Sequence, residues 1–228
     1  MRTFFGLEWC AKMEKEKKVT DEIVPLFATP VVRTNIGRDL TKEEIDCLTD
    51  ISMLKKEGMS NHRSKDLYLF DNLTKELKDI KDFCTDQLKT YLEKIEGIDT
   101  NIATLRITQS WLNKSKPDEW HHVHFHPNSY LSGVFYIRCL SNDGINFDNR
   151  LTGSYNNIKF QMPKEMTVWN SVGVTVSITE GDLVLFPSWV PHSVNPNETK
   201  NKERISLSFN TFPIGEIGEY ELGTHLKL

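Results

Sequence analysis

The sequence predicts an α+β fold in which a helical front packs on one sheet of a strand-rich remainder. Three observations lead there. Helix signals are confined to the stretch before Gly97. After it come short β-rich runs separated by turn residues. The chain has 228 residues, enough for one sizeable core and short for two full domains. Helices first and strands after suggest segregated layers, here helices against one face of a double-sheet jelly roll.

Residues 1–22 read as an extension that includes the charged run Lys12-Met-Glu-Lys-Glu-Lys-Lys, and 23–228 as a single domain. Val24-Pro-Leu-Phe-Ala-Thr-Pro-Val-Val reads as a short edge strand bracketed by prolines, open to pairing between two copies near 28–33. Thr41-Lys-Glu-Glu44 is a capping box that opens a helix over about 42–56. Asn72 or Thr74 opens a second helix. Its apolar residues Leu77, Ile80, Phe83, Leu88, Tyr91, Leu92 and Ile95 fall at helical spacing, and Gly97 suits its stop. Strands are expected near 103–112, 130–139, 144–148, 158–161, 173–179, 182–186, 192–195 and 204–212. The stretches 140–157 and 196–203 read as polar, mobile loops.

A net charge of −4 argues against nucleic acid as the main ligand, because phosphate binding needs a basic patch. Cys10, Cys47, Cys84 and Cys139 are scattered without a C-x-x-C pair and read as free thiols of a reducing compartment. No apolar run approaches the roughly 20 residues of a membrane helix. The start lacks a continuous apolar stretch, so it is not read as a signal peptide. The expected location is the cytoplasm.

Four of the chain's seven histidines stand within six residues, in Trp-His-His-Val-His-Phe-His-Pro. Imidazole is the side chain most used to hold a transition metal. On an extended segment His122, His124 and His126 would share one face, with His121 on the other. Neighbours two apart sit about 7 Å from each other and can converge on one ion, whereas residues four apart cannot. The pair is therefore His122 with His124 or His124 with His126. A third ligand must come from elsewhere, and His192 is the best candidate. Arg204 begins a strand on which Ser206 shares its face, and a guanidinium beside a hydroxyl suits a carboxylate.

Three pieces, taken in order, resemble a known group. They are His124-Phe-His126-Pro-Asn-Ser-Tyr-Leu-Ser-Gly-Val-Phe-Tyr-Ile, Gly181-Asp-Leu-Val-Leu-Phe-Pro-Ser-Trp-Val-Pro-His192-Ser-Val and Arg204-Ile-Ser-Leu-Ser-Phe-Asn210. With Pro25-Leu-Phe-Ala-Thr-Pro30 they resemble the 2-oxoglutarate–Fe(II) oxygenase family found in marine bacteria and their phages, over about residues 23–213. That resemblance implies a double-stranded β-helix of cupin-like type, Fe(II), 2-oxoglutarate, and O2 as co-substrate. It implies a dioxygenase that hydroxylates its substrate with release of succinate and CO2, in a bacterium or a phage-infected cell. It selects His124 and His126 with His192 as metal ligands. It assigns the far carboxylate of 2-oxoglutarate to Arg204, with Ser206 as helper and Tyr136 as a second contact.

One departure stands out. The wider superfamily uses H-x-D, and here the second member is His126. Asp118 or Glu119 could supply a carboxylate, though neither has the right spacing. Three imidazoles also match the ligand set of zinc enzymes, so a cupin-like zinc hydrolase or isomerase is the rival reading, and a non-catalytic metal-binding module a third. Trp120, Phe125 and Trp189 are candidates for an apolar wall near the metal, or for core packing. The substrate, a small molecule or a protein, is not legible.

Overall fold

The computed structural model describes residues 28–228 apart from 56–59, 142, 149–163, 166, 168 and 169. The extension 1–22, the residues just after it and the strand expected at 158–161 lie outside the described residues.

The elements run β1 (Val32–Asn35), α1 (Lys42–Thr49), β2 (Met53–Leu54), β3 (His62–Ser64), α2 (Leu69–Asn72) and α3 (Lys78–Tyr91). A π-helical turn (Leu92–Glu96) precedes β4 (Ala103–Ser115), β5 (His121–His124), β6 (Leu131–Arg138) and β7 (Gly144–Asp148). The chain finishes with β8 (Gly173–Ser177), β9 (Asp182–Pro187), β10 (His192–Val194), β11 (Arg204–Ile217) and β12 (Leu226–Lys227). Among the described residues they form two sheets. The larger has the order β1-β9-β6-β11-β4-β3-β2, with β12 added to β11, and the smaller the order β5-β10-β7-β8. No described helix is long and apolar enough to cross a membrane.

The helix starts show what sequence signals reach. At Thr41 the side chain accepts from the Glu44 amide and the Glu44 carboxylate accepts from the Thr41 amide, which completes the expected capping box. The helix ends at Thr49 rather than near 56, because Met53 and Leu54 pair with β3 instead. The second helix begins at Lys78, later than Asn72 or Thr74. The chain first makes the short turn α2, which buries Leu69 and Phe70, and Lys81 ties the helix back to it through the Phe70 carbonyl and the Asp71 carboxylate. Gly97 stops it as expected, with a φ of 67° that suits a residue lacking Cβ.

Strand alternation sorts the long strands into two faces. On one side of the larger sheet Leu112, Phe135, Leu183, Leu185, Ile205, Leu207 and Phe209 meet Leu48, Leu77, Ile80, Cys84 and Leu88 of the helices. On the other side Val134, Tyr136, Val184 and Phe186 meet Ile145 and Phe147 of the smaller sheet. The helices therefore cover one sheet face, as expected, and the gap between the sheets is left for a site. At the centre of the larger sheet Gly133 lies opposite Phe209, and a Cβ there would come within 2.1 Å of the ring. The glycine makes room for the aromatic.

The segment 196–203, expected to be mobile, is tied down. Asn197 is fully buried, donates to the Ser115 and Lys202 carbonyls, and bonds the Glu119 carbonyl through its backbone. Cys47, Cys84 and Cys139 are free thiols.

Candidate metal centre and co-substrate pocket

Pairing between β5 and β10 sets His124 directly across from His192. Residues opposite each other on antiparallel strands bring their Cβ atoms within about 5.5 Å. The chain then leaves β5 and turns through Pro127 and Asn128, the latter at a φ of 58°, a left-handed conformation that asparagine tolerates. Just before that turn the His126 amide donates to the Ser188 carbonyl at 2.9 Å. Each of the three histidines offers a ligand atom within 4.8 Å of the other two. No carboxylate belongs to that cluster among the described residues.

The outer nitrogens settle the geometry further. Nδ1 of His124 lies 2.8 Å from the His122 carbonyl, and Nδ1 of His192 lies 3.0 Å from the Val190 carbonyl. Nδ1 of His126 lies 2.7 Å from Asn210 Oδ1 and 2.8 Å from Ser132 Oγ. A carbonyl oxygen can only accept, so these rings carry their proton on Nδ1. Nε2 is then left with its lone pair, which is the arrangement of metal-ligating histidines. Burial, reinforced by the neighbouring imidazoles, pushes His192 down to about 2. Burial likewise lowers His124 to about 4. Burial also lowers His126, against the opposing bond to Asn210. Neutral rings are what a cation needs. The donor set fits a borderline transition metal such as iron or zinc.

His121 departs from the expected pattern. A register shift between β10 and β5 turns it to the pocket side, with its ring 4.2 Å from that of His124 and burial lowering it to about 3. His122 is the exposed one and is absent from the cluster, in which His126 stands instead. Glu119 does not supply the missing carboxylate either. It accepts from Lys55 Nζ at 2.6 Å, contacts His62 Nδ1 at 3.0 Å and accepts from the Lys116 amide at 2.9 Å. Asp118, outside the cluster, occupies a left-handed turn. Trp120, Phe125 and Trp189 are exposed, so they neither wall the metal nor fill a core. The aromatic beside the cluster is Phe186, 4.6 Å from the His192 ring, with Trp111 5.7 Å from His126.

Away from the histidines the same pocket is lined by Asn113, Tyr136, Arg204 and Ser206. Register explains the grouping: Ser206 stands between Asn113 on one neighbouring strand and Tyr136 on the other. Arg204 is buried and holds Asp143 by two bonds, Nε to Oδ2 at 2.7 Å and Nη2 to Oδ1 at 2.6 Å, while Nη1 donates to the Asn195 carbonyl. The Tyr136 hydroxyl is buried without a partner among the described residues, and burial raises its pKa. An orphaned hydroxyl in a pocket that also holds a guanidinium fits an anionic ligand, because such groups are otherwise satisfied.

Sequence reasoning missed Asp143, Asn210 and Ser132. Asn210 was legible by parity, since it repeats the face of Arg204 and Ser206 on β11. Asp143 lies just before β7 with nothing in its neighbours to single it out.

Comparison with known proteins agrees with this geometry. Residues 109–210 match the sequence model of the family described as "Putative 2OG-Fe(II) oxygenase". That stretch contains all three histidines, Tyr136, Arg204 and Ser206. No curated protein sequence matches the chain. Among solved structures, a 2OG-Fe(II) oxygenase family oxidoreductase from Burkholderia pseudomallei is 13% identical with a TM-score of 0.51, covering 79% of this chain and 83% of that one. A prolyl-4-hydroxylase from Pseudomonas putida is 15% identical with a TM-score of 0.51, covering 80% and 92%. HygX from Streptomyces hygroscopicus, solved with nickel and 2-oxoglutarate bound, is 11% identical with a TM-score of 0.50, covering 80% and 82%. At such identities the structures speak for the fold, and the match over 109–210 speaks for the activity. The stretch that carries the histidine cluster is thus similar to the 2-oxoglutarate–Fe(II) oxygenases.

Proposed function

We propose that this protein is a dioxygenase that hydroxylates its substrate at a three-histidine iron site in a double-stranded β-helix, or jelly roll, with release of succinate and CO2. The observation that carries the reading is the common tautomer of His124, His126 and His192: three Nδ1 groups each held by an oxygen, three Nε2 atoms left with their lone pairs, in three side chains whose ligand atoms gather within 4.8 Å of one another. When bound, Fe(II) with 2-oxoglutarate and O2 supplies the oxidising chemistry.

The chain's own residues do the rest. The three imidazoles hold the cation on one side and leave its other positions to ligands. Arg204, Ser206 and the Tyr136 hydroxyl hold the far carboxylate of 2-oxoglutarate, which fixes the orientation of the keto acid. Phe186 and Trp111 keep water from the histidines. With no carboxylate among the ligands, the dianionic co-substrate supplies the charge that compensates the cation.

Anaerobic titration of the metal-free protein with Fe(II), without and with 2-oxoglutarate, tests this. The expected result is a weak visible charge-transfer band that needs both additions, and succinate formation once air is admitted. A second reading, a zinc hydrolase or isomerase, draws on the same all-nitrogen donor set. Tight zinc binding with no such band and no keto-acid binding would favour it.

A further inference from the structure

We propose that Asp143 is a positioning residue for the keto acid: it grips one edge of the Arg204 guanidinium so that the remaining N–H groups face the pocket. The inference rests on the 2-oxoglutarate reading given above.

A guanidinium has five N–H donors in a rigid plane. Asp143 takes one on Nε and one on Nη2, and the Asn195 carbonyl takes one on Nη1. Two remain, one on each Nη, free to be accepted by a ligand carboxylate. The carboxylate of Asp143 is itself held, since Oδ2 accepts from the Leu140 amide at 3.2 Å, and its own amide donates to the Leu140 carbonyl at 3.3 Å. Both partners are buried. An arginine fixed in this way loses little side-chain entropy when a ligand arrives, and that preorganisation strengthens binding of the far carboxylate alone.

The charge balance agrees. None of the pocket's lining residues is acidic, and an imidazole that holds a metal ion does so as a neutral ligand. A dication with a dianionic keto acid closes at zero only if the buried guanidinium also has a counter-ion. Asp143 is that counter-ion, and it stands against Arg204 rather than among the clustered histidines.

The test compares two keto acids, 2-oxoglutarate and 2-oxopentanoate, which differ only in the far carboxylate. Their affinities for zinc-loaded protein are measured by calorimetry, so no turnover is involved. In the unaltered protein 2-oxoglutarate binds more tightly; equal affinities would mean that the co-substrate reading itself fails. Given that preference, Asp143→Asn places an amide N–H against the arginine's donors. It should lower the affinity ratio by about tenfold or more, as expected for a charge-assisted hydrogen bond put out of line. Zinc affinity should be unchanged. Asp143→Glu keeps the charge on a longer stem and should lower the ratio to an intermediate value; it carries the test if the Asn variant does not fold. An unchanged ratio overturns the proposal. A raised ratio does so too, because it would show that Asp143 acts only as a nearby negative charge.

Discussion

Nδ1 of His126 lies 2.7 Å from Oδ1 of Asn210, a residue on the same face of β11 as Arg204 and Ser206. One strand thus orients a histidine of the cluster and presents the guanidinium of the pocket. Asn210→Ala should weaken metal affinity by about 10–100-fold, the usual cost of losing an outer partner of a metal-ligating histidine. Competition with a coloured chelator measures it. Unaltered affinity would mean that Ser132, 2.8 Å from the same nitrogen, suffices alone.

His122 and His192 offer a contrast within one metal titration. His192→Ala removes a donor and should cost more than about 100-fold in affinity, beyond what an outer partner contributes. His122→Ala should change it by less than about twofold, since the ring is exposed and only the backbone carbonyl at 122 bonds His124. Equal losses in the two variants would reject the assignment of ligands.

Acid should destabilise the metal-free protein. His192, His121 and His124 are pushed by burial to about 2, 3 and 4, from an ordinary value of 6.5. Between those values the unfolded chain binds more protons than the folded one, so stability falls as pH falls. Above about pH 6.5 both states are neutral and stability is level with respect to these groups. Below it the loss is at most about 1.4 kcal/mol per pH unit for each group, down to that group's folded value. Urea denaturation at pH 7.5 and pH 5 reads the difference, and equal midpoints would contradict it. Bound metal should flatten the dependence, because it occupies the nitrogens that protons would take.

Gly133→Ala probes the sheet centre. The added methyl would meet the Phe209 ring, which is fully buried and lies 6.0 Å from the ring of Phe70. Forcing that ring aside should cost about 1–3 kcal/mol. For a chain of this length that lowers the thermal midpoint by roughly 2–4 °C per kcal/mol. A midpoint within error of the parent would show that the ring can step aside freely.

Local chemistry made much of this molecule legible in the sequence. The capping box at Thr41 and the stop at Gly97 are written in adjacent residues, and so is the alternation of β11 that puts Arg204 with Ser206 and Ile205 with Leu207. The histidine run pointed to a metal because few other chemistries need so many imidazoles together.

Tertiary structure decided the rest. Spacing along a strand left two histidine pairs possible, and which pair gathers with His192 was set outside that segment, by the register that puts His192 across from His124 and by the bonds of His126 to Ser188 and Asn210. The same register shift turned His121 inward and left His122 exposed. Asp143 meets Arg204 across a sequence separation of 61 residues, and neither neighbourhood names the other. Periodicity assigns a side chain to a face of its own strand. Which opposing side chain it meets depends on register between strands, and register is set by pairing that no single segment contains.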